Sequence, residues 1–202
     1  MDIALMCKPE FLLNVTLNGD KEITGFFAGD LRAAHRVGCD HVRSHAMVAV
    51  ENRFDLVITT NSGYPLDQNL YQAVKGMSAA QQIVRRGGVI LAVSECSDGV
   101  PNHGNYAKIL QMRDTPEQLL EMIADPSFSM FDQWQVQKQA LVQTWARVLL
   151  YSGLDDESVR QAKLTPIHDL SGSVEQWVHD LGPKARVAVL PLGPLTIPYV
   201  IH

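Results

Sequence analysis

Four polar side chains of residues 68–75 share a spacing that could form a binding surface: Gln68, Tyr71, Gln72 and Lys75. Intervals of three and four residues place them on one face of a helix. An amide, a phenol and an ammonium group together could hold a carboxylate or a phosphate. The same pattern is also typical of a solvated helix face with an extended lysine, and the spacing alone leaves that alternative open.

The loop before this helix has features that suit an anion. Residues 61–67 follow the apolar, β-branched run 54–60, which is typical of a buried parallel strand. In open α/β sheets, ligands bind beyond the carboxyl ends of the strands. Gly63 lets the backbone turn closely, and Asp67 is predicted to begin the helix, whose free N–H groups and dipole favour negative charge. A small-anion site formed by Gly63, Tyr71, Gln72 and Lys75 is therefore one interpretation of this segment, and a solvated helix face is the other.

Two other groups of residues could carry chemistry. The loop 94–105 holds Cys96 and His103, a combination that nucleophilic catalysis uses. No base can be assigned to Cys96 from the sequence, so a small buried apolar role is favoured. His41 and His45 are four residues apart and could bind a metal, but they lack the glutamate of an HExxH motif. The sequence therefore predicts neither a catalytic residue nor a metal site in this chain.

These residues require a scaffold, and the order of the predicted elements supplies one. Short apolar runs alternate with amphipathic stretches over residues 53–190, which predicts a Rossmann-like open, mostly parallel sheet with helices on both faces. An N-terminal β-hairpin and helix precede it, and residues 191–202 form a tail predicted to run over a surface. The predicted helices are 31–50, 67–86, 115–124, 128–145, 155–162 and 171–181, and the strands are 11–17, 23–28, 54–60, 89–93, 147–151 and 186–190.

Composition excludes several classes of protein. The 202 residues carry a net charge of −5, which argues against a nucleic-acid partner or an anionic membrane. No apolar run approaches the ~20 residues of a membrane helix. The three cysteines, Cys7, Cys39 and Cys96, have no disulfide or zinc-like spacing, which favours a cytoplasmic protein. The GxGxxG, P-loop and GxSxG motifs are absent from the sequence, which argues against the common nucleotide-binding and hydrolase classes.

The amino-acid sequences of several segments are more informative than composition or spacing. Ser62–Gly76 (SGYPLDQNLYQAVKG) and Gly87–Gly99 (GGVILAVSECSDG) resemble the C-terminal part of the lactate racemase family. Further matching segments are FLLNVTLN with ITGFFAGDLRAAHRVG (11–38), FDQWQVQKQA (131–140) and VAVLPLGPLTIPYV (187–200). The resemblance covers nearly the whole chain, from about residue 10 onward.

This resemblance implies a function for the predicted site. The family's enzymes use a nickel-pincer nucleotide, held with the substrate between two domains, and racemise or epimerise 2-hydroxy acids by hydride transfer. The nickel-ligating histidine, the lysine that tethers the cofactor and the acid–base histidines belong to the N-terminal domain, so none of the seven histidines here inherits those roles. Tyr71, Gln72 and Lys75 match family residues that contact the substrate or cofactor region, so the resemblance favours a binding site on this helix face over a solvated face.

The resemblance also implies a domain organisation. Residues 1–52 and 191–202 are expected on the side of a missing N-terminal domain, with 53–190 forming the Rossmann-like C-terminal domain. The expected partners are that N-terminal domain and a 2-hydroxy acid or another small anion, and the exposed ends could self-associate. The chain alone is expected to be inactive. A free-standing α/β module that binds a small anion without catalysis remains the alternative.

Overall fold

A computed structural model describes residues 1–201, which divide into two compact units at Met47 and Val48. The first unit contains α1 (Asp2–Met6), β1 (Leu12–Leu17), β2 (Ile23–Gly29) and α2 (Leu31–Ala46). The strands β1 and β2 form the predicted antiparallel hairpin. The Asp30 side chain accepts a 2.9 Å hydrogen bond from the Ala33 N–H and so caps α2, as expected for this residue type.

The first unit has almost no core of its own. Ala34 is the one buried residue in Met1–Met47, all of which the structure describes. On the hairpin, Leu13 is 66% and Phe26 is 69% exposed to solvent. Apolar surface of this kind is typical of a face that packs against another protein surface.

The second unit is the predicted α/β sheet. Its strands are β3 (Met47–Val50), β4 (Phe54–Thr60), β5 (Val84–Val93), β6 (Arg147–Tyr151), β7 (Thr165–Ile167), β8 (Val187–Leu190) and β9 (Ile197–Val200). Its helices are α3 (Leu70–Gln81), α4 (Tyr106–Leu110), α5 (Pro116–Ala124), α6 (Gln133–Trp145), α7 (Asp156–Gln161) and α8 (Leu170–Leu181). Five parallel strands form the main sheet in the order β7-β6-β5-β4-β8, and β3 pairs separately with β9.

Helices cover both faces of this sheet, which confirms the predicted fold class. Successive residues of a strand point to opposite faces. Thus Val57 and Ile90 join the larger core with α3 and α6, whereas Leu56 and Leu91 join a smaller core that includes Trp177 of α8. None of the described helices is both long enough and apolar enough to cross a bilayer.

Some element boundaries differ from the prediction. The predicted helix 31–50 ends at Ala46, after which residues 47–50 turn into β3. Strand β5 begins at Val84 rather than at residue 89, because Gly87 and Gly88 lie within it where the pairing with β4 shifts register. Strand β7 was not predicted, since three residues carry no readable periodicity.

The tail is also more ordered than expected. It forms a 3-10 helix (Gly193–Leu195) and then β9, instead of only running over a surface. A Cβ placed on Gly193 would overlap the Thr60 carbonyl oxygen and lie 3.1 Å from Gly76 Cα, so the tail packs directly against α3. The Ile201 N–H donates to the Val50 carbonyl oxygen at 2.9 Å, which extends the pairing of β9 with β3.

Candidate functional site

Helix α3 separates a buried face from a polar face, as its sequence predicts. The buried face comprises Leu70, Ala73, Val74, Met77 and Ala80. Tyr71 and Gln72 are half-buried on the other side, and Lys75, one turn further along, is exposed. At 100° per residue these three side chains fall within a 100° arc of the helix. The helix therefore presents a phenol, an amide and an ammonium group on one side.

The start of α3 differs from the prediction. Asn69, not Asp67, caps the helix, and its side chain accepts a 3.1 Å hydrogen bond from the Gln72 N–H. Asp67 is engaged elsewhere, because its carbonyl oxygen accepts from the Cys96 N–H at 2.9 Å. The Leu70 N–H donates to Gly99 at 3.2 Å. The predicted anion site relied on the N–H groups of Leu70 and Gln72. Both already donate hydrogen bonds within the protein.

Tyr71 is held by aromatic and backbone contacts. Its ring forms T-shaped contacts with Tyr106 and Trp134 at centroid distances of 5.2 and 5.8 Å. Its carbonyl oxygen accepts a 2.5 Å hydrogen bond from Gln135 Nε2. Tyr106 is fully buried, and its hydroxyl donates to Gln139 Oε1. These contacts fix the Tyr71 ring at the edge of the core.

A cavity of about 310 Å³ opens beside Tyr71 and Gln72. Its wall is completed by residues from two distant segments, namely Pro101, His103, Gly104, Phe131 and Asp132. Phe131 is 75% exposed, and Trp134, which packs on Tyr71, is 53% exposed. We name this space the Tyr71 cavity. It combines aromatic surface with an amide, a phenol, an imidazole and a carboxylate.

Asp132 organises one wall of the Tyr71 cavity. This carboxylate is only 6% exposed, and its Oδ2 accepts a 2.9 Å hydrogen bond from the Asn105 N–H. A Cβ on Gly104 would collide with the same oxygen, so the close approach requires glycine. Burial, followed by the negative charge of Asp132, raises the pKa of Tyr71. The Tyr71 phenol therefore keeps its proton at neutral pH and is able to donate a hydrogen bond to a ligand.

The sequence had not identified Phe131, Asp132 or Trp134 as site residues. They lie some 60 residues from Tyr71, and no local spacing connects the two segments. The segment FDQW did carry part of the family resemblance, but its side chains gain a role only once α6 packs against α3. His103 had been considered with Cys96, yet it lines the Tyr71 cavity.

Gly63 lies in a different place from Tyr71 and Gln72. It lines a larger cleft of about 550 Å³ at the carboxyl ends of the strands, where Asp67 and Glu95 are also found. Its φ of +71° is a conformation that glycine adopts readily. Of the four predicted site residues, the structure thus brings Tyr71 and Gln72 into one cavity, places Lys75 on the same helix and separates Gly63 from them.

The other residues considered for catalysis or metal binding, Cys96, His41 and His45, make contacts that are typical of structural roles. Cys96 is buried, its Sγ donates to Ser94 Oγ at 3.5 Å, and burial raises the pKa of its thiol. The His41 and His45 rings stack at 4.3 Å, and His45 Nδ1 lies 2.8 Å from the His41 carbonyl oxygen. Among residues 1–201, no three His, Cys, Asp or Glu side chains come close enough together to hold a metal ion.

Comparison with known proteins agrees with this architecture. The lactate racemase C-terminal domain family matches residues 49–197. Lactate racemase of Lactiplantibacillus plantarum is 38% identical over 192 residues, which cover 94% of this chain and 45% of that protein. Lactate racemase of Thermoanaerobacterium thermosaccharolyticum is 33% identical over 186 residues, or 91% of this chain and 43% of its own length.

Solved structures show the same similarity to lactate racemases as the sequence comparisons. The lactate racemase apoprotein of T. thermosaccharolyticum superposes with a TM-score of 0.85 at 31% identity, covering 94% of this chain and 46% of that one. A protein from Thermotoga maritima shares the fold, with a TM-score of 0.62 at 12% identity and coverage of 95% and 49%. The chain thus spans about half the length of the relatives that it matches. Its sequence and fold place it in the lactate racemase family, as the C-terminal domain.

Proposed function

We propose that this domain closes over the substrate of a 2-hydroxy acid racemase or epimerase. The observation that carries the proposal is that Tyr71 and Gln72 line one cavity, the Tyr71 cavity. The fold that holds this cavity is similar to that of a lactate racemase. Lys75 extends the same helix face by one turn. In the complete enzyme, the N-terminal domain of the same protein would cover this side and supply the catalytic groups.

The three side chains suit a 2-hydroxy carboxylate. The Lys75 ammonium group would pair with the carboxylate, and the Gln72 amide and the Tyr71 hydroxyl would donate to the carboxylate or the 2-hydroxyl oxygen. A charge-assisted hydrogen bond contributes about 1.5–3 kcal/mol where water is excluded. Since Lys75 is exposed in this chain, solvent would screen most of that energy until the second domain covers the site.

The family's cofactor would reach this domain without being anchored by it. A nickel-pincer nucleotide, held between the two domains, would supply the hydride-accepting ring. The resemblance assigns the nickel-ligating histidine to the N-terminal domain, so we propose no metal ligand in this chain. Phe131 and Trp134 are 75% and 53% exposed and would supply aromatic surface for stacking of a flat organic ring.

The remainder of the proposal concerns partners. The nearly coreless unit Met1–Met47 supports packing of residues 1–52, together with the tail 191–202, toward the N-terminal domain. Without that domain, the same apolar surface would favour self-association. Three cysteines without disulfide partners, Cys7, Cys39 and Cys96, support a cytoplasmic location. The isolated chain would then bind the substrate anion weakly and turn nothing over.

Titration of the nitrogen-15-labelled chain with L-lactate and D-lactate tests this proposal. We expect millimolar binding, roughly −4 kcal/mol, with amide shifts concentrated at residues 69–75 and 101–105. Lys75→Ala should weaken binding only about two- to threefold, because solvent screens most of the ion pair in the isolated chain. Lys108→Ala, which removes an exposed lysine from α4, is the matched control and should change nothing.

The complete enzyme separates catalysis from simple binding. In a full-length relative, alanine at the position of Lys75 should raise KM for lactate several-fold. If racemisation by that enzyme is unaffected while the isolated chain binds lactate, a binding module without catalysis is the better description. Shifts that cluster at His41 and His45 instead would place the site elsewhere.

A further inference from the structure

A group of basic residues lies at the amino ends of the strands in the main sheet. They stand just before or near the start of β4, β5, β6 and β8, and all of them are exposed: Arg53, Arg85, Arg86, Arg147, Lys184 and Arg186. These four strands are neighbours in the order β6-β5-β4-β8, so the side chains project from a row about 14 Å wide. We name this group the basic edge.

Aromatic rings hold several of the guanidinium groups of the basic edge in place. Arg53 and Arg86 lie over the Trp145 ring, 5.3 and 6.0 Å from its centroid. The Trp145 ring is itself fixed, because its Nε1–H donates a 3.1 Å hydrogen bond to a backbone carbonyl oxygen of β5. Arg147 and Arg186 each lie over a further aromatic ring, at 5.5 and 5.3 Å. A guanidinium group stacked in this way keeps the N–H donors of its edge available to an anion.

The protein itself pairs only some of these groups. Arg85 forms an ion pair with Asp55 at 2.6 Å. Arg53 donates to two backbone carbonyl oxygens between α3 and β5, at 2.9 and 3.2 Å. Three guanidinium groups form neither a hydrogen bond nor an ion pair with residues 1–201, namely those of Arg86, Arg147 and Arg186.

Local compensation leaves the basic edge positive. Helices α3, α6 and α8 end here, and their dipoles together are equivalent to roughly −1.5 charges. Glu51, Asp55 and Asp180 are the carboxylates in or beside the row. The cations of the row outweigh these groups, whereas the rest of residues 48–202 carries about twice as many acidic as basic residues. The positive charge of the second unit is therefore concentrated on one edge.

The small size of the basic edge decides which kind of anion it fits. Nucleic acids and anionic membranes carry negative charge over much greater lengths, so they would also meet the acidic remainder of the unit. Small molecules bind mostly in concave sites, whereas every residue of the basic edge is exposed. An extended peptide rises about 3.4 Å per residue, so about four or five residues match the row. Arginine can hold each carboxylate of such a peptide with two parallel hydrogen bonds.

We propose that the basic edge binds a short acidic segment of a partner protein, about four or five residues rich in Asp and Glu. The carboxylates of this segment pair with the three guanidinium groups that the chain leaves unpaired. The Tyr71 cavity lies at the other end of the sheet, because it is built from segments that follow the carboxyl ends of β4 and β5. The acidic segment therefore leaves the Tyr71 cavity open, and the proposal is independent of the function proposed for that cavity.

Hexaglutamate with blocked ends is the probe, added to the nitrogen-15-labelled chain at low salt. Binding should weaken as salt is added, since the charges are exposed. The triple variant Arg86→Gln/Arg147→Gln/Arg186→Gln should weaken binding about tenfold, because each exposed ion pair contributes modestly. We expect the amide shifts at residues 53–55, 84–88, 145–147 and 184–187.

A second triple variant separates the basic edge from the net charge of the chain. Lys108→Gln/Arg113→Gln/Lys138→Gln removes the same number of charges from exposed positions elsewhere in the second unit, and it should weaken binding less than about twofold. Equal weakening by the two variants would overturn the proposal, and so would the absence of hexaglutamate shifts at low salt. Tighter binding of a ten-nucleotide thymidine oligomer than of hexaglutamate would overturn it in favour of a nucleic acid. Salt-sensitive dimerisation in the ultracentrifuge, abolished by the first variant, would assign the basic edge to a second copy of this chain instead.

Discussion

Replacement of Gln139 by leucine should destabilise the second unit by about 2–3 kcal/mol, because it leaves the fully buried Tyr106 hydroxyl without an acceptor. The Ala162 carbonyl oxygen loses one donor, Gln139 Nε2 at 2.8 Å, but keeps Gln143 Nε2 at the same distance. Most of the cost therefore arises at Tyr106. Tyr106→Phe alone should lower the free energy of unfolding by about 1–2 kcal/mol, since it leaves Gln139 Oε1 without its hydroxyl donor.

The double variant Gln139→Leu/Tyr106→Phe is the decisive test. Removing both partners leaves no unpaired polar atom at that contact, so its loss of stability should be smaller than the sum of the single losses by at least about 1 kcal/mol. Urea unfolding followed by tryptophan fluorescence measures this, because Trp134, Trp145 and Trp177 all belong to the second unit. Costs that add within about 0.5 kcal/mol would refute the reasoning.

A matched surface change shows whether the effect depends on burial. Gln137 lies two residues earlier on α6 and is exposed. Gln137→Leu should change the free energy of unfolding by less than about 0.5 kcal/mol. The Tyr106 ring also supports the Tyr71 ring, so Gln139→Leu is further expected to weaken lactate binding, whereas Gln137→Leu is not.

Three further outcomes are expected. Asp132→Asn should lower the pKa of Tyr71, because a nearby negative charge disappears while burial remains; carbon-13 NMR of labelled tyrosine measures it, and an unchanged pKa would contradict the electrostatic assignment. The Arg186 N–H and the Arg85 guanidinium lower the pKa of Asp55 below 3.8. Asp55→Asn should therefore cost about 1–2 kcal/mol at neutral pH, and the difference from the parent should vanish as the pH falls through the folded-state pKa, in urea titrations at several pH values. Cys96 should react with iodoacetamide only after unfolding, detected by mass spectrometry, and equal labelling of Cys96 and the exposed Cys7 in the folded chain would be the contrary result.

The sequence predicts the scaffold well where a segment is buried on both sides or capped by local hydrogen bonds. The run FDLVITT (54–60) is apolar throughout because β4 lies inside the sheet, covered by cores on both faces. Thr115 and Gln118 form a reciprocal capping box on either side of Pro116, the first residue of α5, so the start of α5 depends on adjacent residues alone.

Prediction from sequence fails where a contact with a distant segment decides which of several nearby residues takes a role. Asp67 and Asn69 are both good capping residues, but Asn69 caps the helix because Asp67 accepts hydrogen bonds from Glu95 and Cys96 in the loop after β5. The Tyr71 cavity is assembled from α3, the loop after β5 and the start of α6. No spacing in the sequence predicts that these three segments come together in space. The polar face of α3, in contrast, is predicted correctly.

The position of β8 has a consequence for the growing polypeptide. Strand β4 lies inside the sheet, yet one of its two neighbours is separated from it by about 130 residues, as the Thr60–Pro191 hydrogen bond shows. During synthesis, β5 becomes available to β4 early, but the other edge of β4 stays open until β8 has left the ribosome. A nascent chain that pauses before residue 187 therefore exposes an unpaired, apolar strand edge to other chains. Speed of translation through the codons between β7 and β8 should govern how much of this protein aggregates as it is made.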